Sequence, residues 1–188
     1  MLHTSQREAN LLGALSLAVA DRIRVGAETQ AQNGGAVPAA LVALRTFLDG
    51  CSIAELSSVL GLSHSATVRL VDRLEERALA SRRAGEDRRA VALHLLPAGR
   101  AAASAILTAR TEAIEELLGG LPVAERRKLA ELMEKLLATL VATGAHRGHV
   151  CRLCDPDACG HWTGTCPVTE APLPPASAGL RPGAEMLD

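Results

Sequence analysis

Apolar positions recur at spacings of three and four along most of this chain, and the places where they stop mark its joints. Over residues 4–30, Leu11, Leu12, Leu15, Val19 and Ile23 fall on one stripe, which predicts a long amphipathic helix ended by the QNGG run at 32–35. A second helix is expected over 38–48, with Pro38 in its first turn and Asp49-Gly50 after its last. Two more follow over 98–118 and 122–143, broken by GGLP at 119–122. Beyond 144 the helical period disappears. That tail is rich in Gly, Pro and Cys, and residues 169–188 have the composition of disordered chain. No internal repeat is visible.

Between these helices lies a denser signal. Ser52 with Glu55 three residues later forms a capping box ahead of Ile53, Leu56, Val59 and Leu60. Gly61 suits the left-handed conformation that ends a helix, and Ser63 caps the next one. In that next helix Ala66, Leu70, Leu74 and Ala78 recur every four residues and are expected to face a core. Two short helices joined by a glycine turn make a helix-turn-helix. The outward side of the second helix carries His64, Ser65, Val68, Arg69 and Arg73, which suits a helix lying in the major groove of DNA. On bland grounds the same residues are a solvated helix face, with His64 simply exposed at its start.

Two strands should follow, SRRAG and AVALHLL, joined by GEDRR as a hairpin tip. In the second, Val91, Leu93 and Leu95 alternate with Ala92, His94 and Leu96. A recognition helix followed by a hairpin with arginines at its tip is a winged helix. Residues 63–100 hold eight arginines against five acids, while the whole chain has a net charge of −1, so positive charge gathers where a phosphate backbone would be met.

The stretches ELSSVLGLS, RLVDRLEERAL and EDRRAVALHLLPAGR resemble the MarR family of winged-helix transcription regulators. Asp87-Arg88-Arg89 and Pro97-Ala98-Gly99-Arg100 match its wing pattern, with Leu96 where the family usually has threonine. The likeness spans about residues 4–143. It implies a mainly α fold: a winged helix-turn-helix over 36–97, and a dimerisation region over 4–30 and 98–143. It also implies an obligate homodimer that binds double-stranded DNA, usually as a repressor and often with a small-molecule effector. It assigns Arg88 or Arg89 to the minor groove and Asp87 to holding the wing arginines. The expected DNA-contacting set is Ser63, His64, Ser65, Thr67, Val68, Arg69, Arg73, Arg82, Arg83, Arg88 and Arg89. Val68 stands where the family more often has a polar residue, so it can meet a thymine methyl but make no hydrogen bond.

Four of the five cysteines fall in the tail, as Cys151-x2-Cys154-x4-Cys159-x6-Cys166. Two thiolates from one tight turn and two from a later stretch can close a tetrahedron around an ion. Residues 146–168 contain few apolar side chains, so the loop is expected to take its shape from the bound ion. Zinc is the first reading of four thiolates; an iron–sulfur cluster uses the same set. His149 and His161 are reserve ligands, and Asp155 and Asp157 are turn formers. A disordered tail with free thiols is the plain alternative. Cys51, alone beside a helix cap, reads as a small buried hydrophobe.

Composition narrows the function. Apolar residues make up 48% and aromatic residues 1%, so the core must be built from Ala, Leu and Val, which favours helices. No apolar run has the length of a membrane span, and MLHTSQREAN lacks the order of a signal peptide, so a cytoplasmic protein that does not engage the membrane is expected. In that compartment clustered cysteines point to metal or redox chemistry rather than disulfides. There is no paired acid and base and no phosphate-binding glycine loop, so no enzyme is expected. Three functions stay open: a DNA-binding dimer with structural zinc, the same dimer with the cysteines as a redox or metal sensor, or a metal or redox protein without DNA binding.

Overall fold

The computed structural model describes residues 2–84 and 91–173. Helix α1 (Leu2–Ala31) leads to α2 (Val37–Thr46), α3 (Ile53–Leu60) and α4 (His64–Glu76). The strands β1 (Ala80–Ala84) and β2 (Val91–Leu95) follow, then α5 (Pro97–Leu118) and α6 (Val123–Ala142). The tail adds α7 (Arg147–Cys151), α8 (Pro156–Cys159) and a 3-10 turn, His161–Thr163.

The core is centred on α2. Its residues from Val37 to Leu44 are all buried, because Ala and Val leave room for neighbours on every side. Around it close Leu56 of α3, Leu70 and Leu74 of α4, Leu93 of β2 and Ile106 of α5. Helix α1 lies along α5, where the Gly26 position faces Ala109 and Arg22 pairs with Glu116.

Local signals place the helix-turn-helix and the hairpin. Ser52 and Glu55 form the reciprocal capping box at the start of α3, and Gly61 ends it at φ 65°. Ser63 caps α4 by accepting from the Ala66 N–H. The strands pair antiparallel with Ala80 opposite Leu95, and Cys51 bridges to Leu93, which fastens β2 to the loop ahead of α3.

Several expectations change. Helix α4 stops at Glu76, and Ala78 is exposed with φ 52° rather than facing the core. On β2, Val91 is exposed and Ala92 buried, with α2, α3 and α5 packed against the strand. The Leu11, Leu12 and Leu15 stripe of α1 is uncovered, and α6 buries only Val141. The tail has short helices and packs its own buried cluster, Val141, Cys151, Cys166, Val168 and Ala171. Residues 169–173 therefore belong to the folded part, and 174–188 lie outside the described residues.

Candidate nucleic-acid interface and cysteine site

Helix α4 separates its two sides by burial. Thr67, Leu70, Val71 and Leu74 are buried, whereas His64, Ser65, Arg69 and Arg73 are exposed. Val68 is half-buried and Ser63 exposed at the cap. Small polar groups thus occupy the first turn and guanidinium groups the second and third, on one side of a helix held rigidly from behind. Such a side can read base edges and grip phosphate.

Two residues of the expected set do other work. Thr67 has no exposed surface, and its hydroxyl donates to the Ser63 carbonyl at 3.1 Å, so it braces the first turn instead of reaching DNA. Arg82 turns inward: Nη2 donates to Asp72 Oδ1 at 2.7 Å and Nη1 to Glu75. The Glu75 carboxylate also accepts the Arg82 backbone N–H at 2.7 Å. That arginine locks β1 onto α4. Arg83, the next residue, is exposed and remains available to phosphate. Asp87, Arg88 and Arg89 lie outside the described residues.

The wing's far end explains the PAGR motif. Pro97 begins α5, and the Leu96 N–H donates to the Leu79 carbonyl at 2.9 Å. A Cβ on Gly99 would sit 2.0 Å from that carbonyl oxygen, so only glycine allows the approach. Arg100 in turn donates to the Leu95 carbonyl.

The four tail cysteines line one pocket of 260 Å³, together with Ile23 of α1, Arg110 of α5 and Leu137 of α6. Cys151 and Cys166 are buried; Cys154 and Cys159 are partly so. A hydrogen bond with the Cys154 thiol draws the Cys151 thiol below its usual value, with help from the Arg147 charge, while Cys154 is pushed up in exchange. Burial pushes Cys159 up to about 12. Burial opposes ionisation of Cys166 too, but the Thr169 backbone, the Thr169 hydroxyl and the Val168 backbone all donate to its sulfur and bring it down. The chain thus stabilises one thiolate in each half of the motif, with Arg110 close to Cys154.

Among the described residues no three Cys, His, Asp or Glu side chains are already gathered at ligating distance. The sulfurs face one pocket and act on one another, Cys154 on both Cys151 and Cys159, and Cys159 on Cys166. Four thiols on one pocket have the donor chemistry of a thiophilic ion's site.

The reserve ligands are engaged elsewhere. His149 Nδ1 lies 2.9 Å from the Val59 carbonyl, and His161 Nδ1 lies 2.9 Å from the Thr169 hydroxyl. His161 also meets Phe47 edge-on, with ring centroids 5.1 Å apart. Cys51 is buried, and burial pushes its thiol up to about 12, aided by the carboxylates of Glu55 and Asp49. That makes it an inert core residue. The anchoring of His149 and the buried Thr67 were both invisible to periodicity; the first joins residues 90 apart in sequence.

The buried-behind, basic-in-front helix and its hairpin define a winged helix-turn-helix protein. Residues 35–90 match the profile described as "MarR family". Solved structures share the fold. A MarR family protein from Bacillus stearothermophilus is 24% identical, with a TM-score of 0.62, covering 72% of this chain and 94% of that one. MepR, a transcription regulator of the Staphylococcus aureus multidrug efflux pump MepA, is 18% identical with a TM-score of 0.60, covering 70% and 97%. CouR from Rhodococcus jostii RHA1, solved bound to p-coumaroyl-CoA, is 22% identical with a TM-score of 0.55, covering 70% and 92%. No curated protein sequence matches. The chain has the MarR winged-helix fold, and the neighbours are almost wholly covered by it while over a quarter of this chain has no counterpart in them.

Proposed function

We propose that this protein is a cytoplasmic, homodimeric, sequence-specific DNA-binding transcription regulator of the MarR type, a repressor rather than an enzyme, whose four-cysteine tail binds structural zinc. The observation that carries the DNA-binding reading is α4, whose exposed side gathers His64, Ser65, Arg69 and Arg73 while its other side is fixed in the core. The dimer reading is supported by half-exposed leucines along α1 and α6. An effector reading is supported by a 390 Å³ cleft bounded by Ala27 of α1, Pro38 of α2 and Leu153 of the tail, and by the ligand in the CouR structure.

For zinc, the support is four sulfurs facing one pocket, two of them eased towards thiolate, with Arg110 and Arg147 close enough to offset a doubly negative Zn(Cys)4 unit. The same donors would accept an iron–sulfur cluster, which anaerobic purification would reveal by its brown colour. Elemental analysis should give one zinc per chain.

DNA binding is tested by affinity against salt. Arg69→Ala and Arg73→Ala should each weaken binding and lower the slope of log K against log salt by about one for each phosphate no longer neutralised. Failure of the wild-type protein to retain any duplex at low salt would remove the regulator reading.

A further inference from the structure

The tail touches both halves of the molecule. On one side it packs on α6: Val141 is fully buried in a cluster with Cys151, Cys166 and Val168, with Leu137 and Ala138 alongside. Leu137 also lines the tail's pocket together with Ile23 of α1 and Arg110 of α5, so all three helices of the proposed dimerisation region border it. On the other side the tail reaches the winged helix at two places. His161 meets Phe47, the C-cap of α2, edge-on at 5.1 Å, and Trp162 lies 6.4 Å from the same ring. Helix α7 presses against the end of α3, at the turn that leads into α4.

The α3 contact is closely fitted. A Cβ added to Gly148 would stand 2.7 Å from Val59 Cγ2, so the α7 backbone sits directly on that residue. His149 Nδ1 lies 2.9 Å from the Val59 carbonyl; a carbonyl only accepts, so the ring nitrogen donates. That carbonyl is among the last four of α3, which an α-helix leaves without an internal partner. The turn serves its neighbours instead: the Gly61 N–H bonds to the carbonyls of Ser57 and Ser58, and the Leu62 N–H to Ser57. His149 thus caps the first helix of the helix-turn-helix, and its ring stands 3.3 Å from where a Gly61 side chain would begin. His146 supports it from behind. Its Nδ1 accepts the His149 N–H at 3.1 Å, which leaves Nε2 to carry the proton of the neutral ring, 3.3 Å from Ser58 Oγ.

Of the elements packed chiefly on α3, α2, α4 and β2 belong to the winged helix and α7 belongs to the tail. Helix α4 in turn rests mainly on α3 and β1. The turn that aims α4 therefore receives from the tail a support anchored on α6. Both contacts sit on one five-residue helix: His149 of α7 holds the α3 carbonyl, and Cys151, its last residue, is buried in the cluster with Val141. The Arg147 guanidinium donates to the Ala171 carbonyl and ties α7 to the end of the tail as well. A rotation of α3 away from α6 would have to break the His149 cap or draw Cys151 out of its cluster.

We propose that the tail is a brace between the dimerisation helices and the helix-turn-helix: α7, seated on α6 through Cys151 and on α3 through His149, fixes the orientation of α4 relative to the dimer axis and makes the protein selective for the spacing of two half-sites. His149 is the positioning residue. The brace rests on the DNA-binding dimer proposed above, and every contact in it is made within the chain. In a dimer the two copies of α4 engage one duplex together only when their separation matches that of the half-sites. A pair held at one separation binds without first being ordered, and it rejects other spacings because reaching them strains the support.

The test uses the full-length protein, a duplex that the wild type selects from a randomised pool, and the same duplex with two base pairs added or removed between its half-sites. The wild type should bind the respaced duplexes about a hundredfold more weakly than the selected one. His149→Ala should stay dimeric by sedimentation and keep its helical circular dichroism. It should bind the selected duplex about tenfold more weakly, discriminate against the respaced ones by less than about tenfold, and exchange amide hydrogens faster over residues 57–63. His149→Asn places an amide N–H at the same number of bonds from the backbone and should restore most of the affinity and the discrimination. His146 is exposed, so His146→Ala keeps the fold and carries the same test if His149→Ala unfolds, with a loss of discrimination of about threefold. Variants that keep the full wild-type discrimination overturn the brace, whether or not their affinity falls, and leave the DNA-binding reading standing. A wild type indifferent to respacing overturns it too, as does an Asn variant that behaves like the Ala one. A wild type that retains no duplex at low salt removes the regulator reading and the brace with it.

Discussion

Gly99 sits where no side chain fits. With a Cβ 2.0 Å from the Leu79 carbonyl oxygen, and 3.1 Å from Leu95 Cδ2, either the wing's base or the first turn of α5 must move. Gly99→Ala should therefore cost about 3 kcal/mol, read as a lowered midpoint in thermal or denaturant unfolding. Gly26→Ala is the matched control. Its Cβ would meet only Ala109, at an ordinary 3.7 Å, inside a helix where alanine is the better former. That change should be neutral or stabilising by about 0.5–1 kcal/mol. The glycine of a motif and the glycine of a helix face look alike in sequence; the neighbour's carbonyl separates them.

At the scale of elements, the α4–β1 junction shows what was legible and what was not. Helix starts, the capping box, the αL glycine at 61 and the hairpin depend on residues within a few positions, and the sequence states them directly. The assignment of arginines to DNA does not, because a charged residue is defined by what it meets. Arg69 and Arg73 meet solvent, whereas Arg82, equally polar and only nine positions past Arg73, meets Asp72 and Glu75. Arg82→Ala would leave both carboxylates without that partner and free β1 from α4. It should lower stability by about 1–2 kcal/mol, with little change in the salt slope of DNA binding. Arg69→Ala should do the reverse. The two variants compared by unfolding and by salt titration separate the roles, and an Arg82→Ala slope reduced by a full unit would return that residue to the DNA face. The tail follows the same logic: cysteine spacing announced a thiol site, but nothing near His149 in sequence announced Val59.

For the whole molecule, the arithmetic of burial points to a second copy. The described chain closes a core around α2, yet it leaves Leu11, Leu12 and Leu15 of α1 and Leu132, Leu136 and Leu140 of α6 about half exposed. Scattered surface leucines need no explanation, but two helices with repeated ones carry apolar surface that water disfavours by about 25 cal/mol per Å². Covering them with the same helices of a partner is self-complementary, as a two-fold interface requires. It would also set two copies of α4 at a fixed separation, and a duplex with two half-sites is gripped only by such a pair. Leu136→Glu with Leu140→Glu puts two carboxylates per chain into that surface while touching none of the buried core. The double variant should sediment as a monomer, keep its helical circular dichroism and lose the concentration dependence of Tm that a dimer shows. Its DNA affinity should fall by about a hundredfold or more, because the second half-site then has to be met independently. A variant that remains dimeric with wild-type DNA affinity would place the interface on some other face of the molecule.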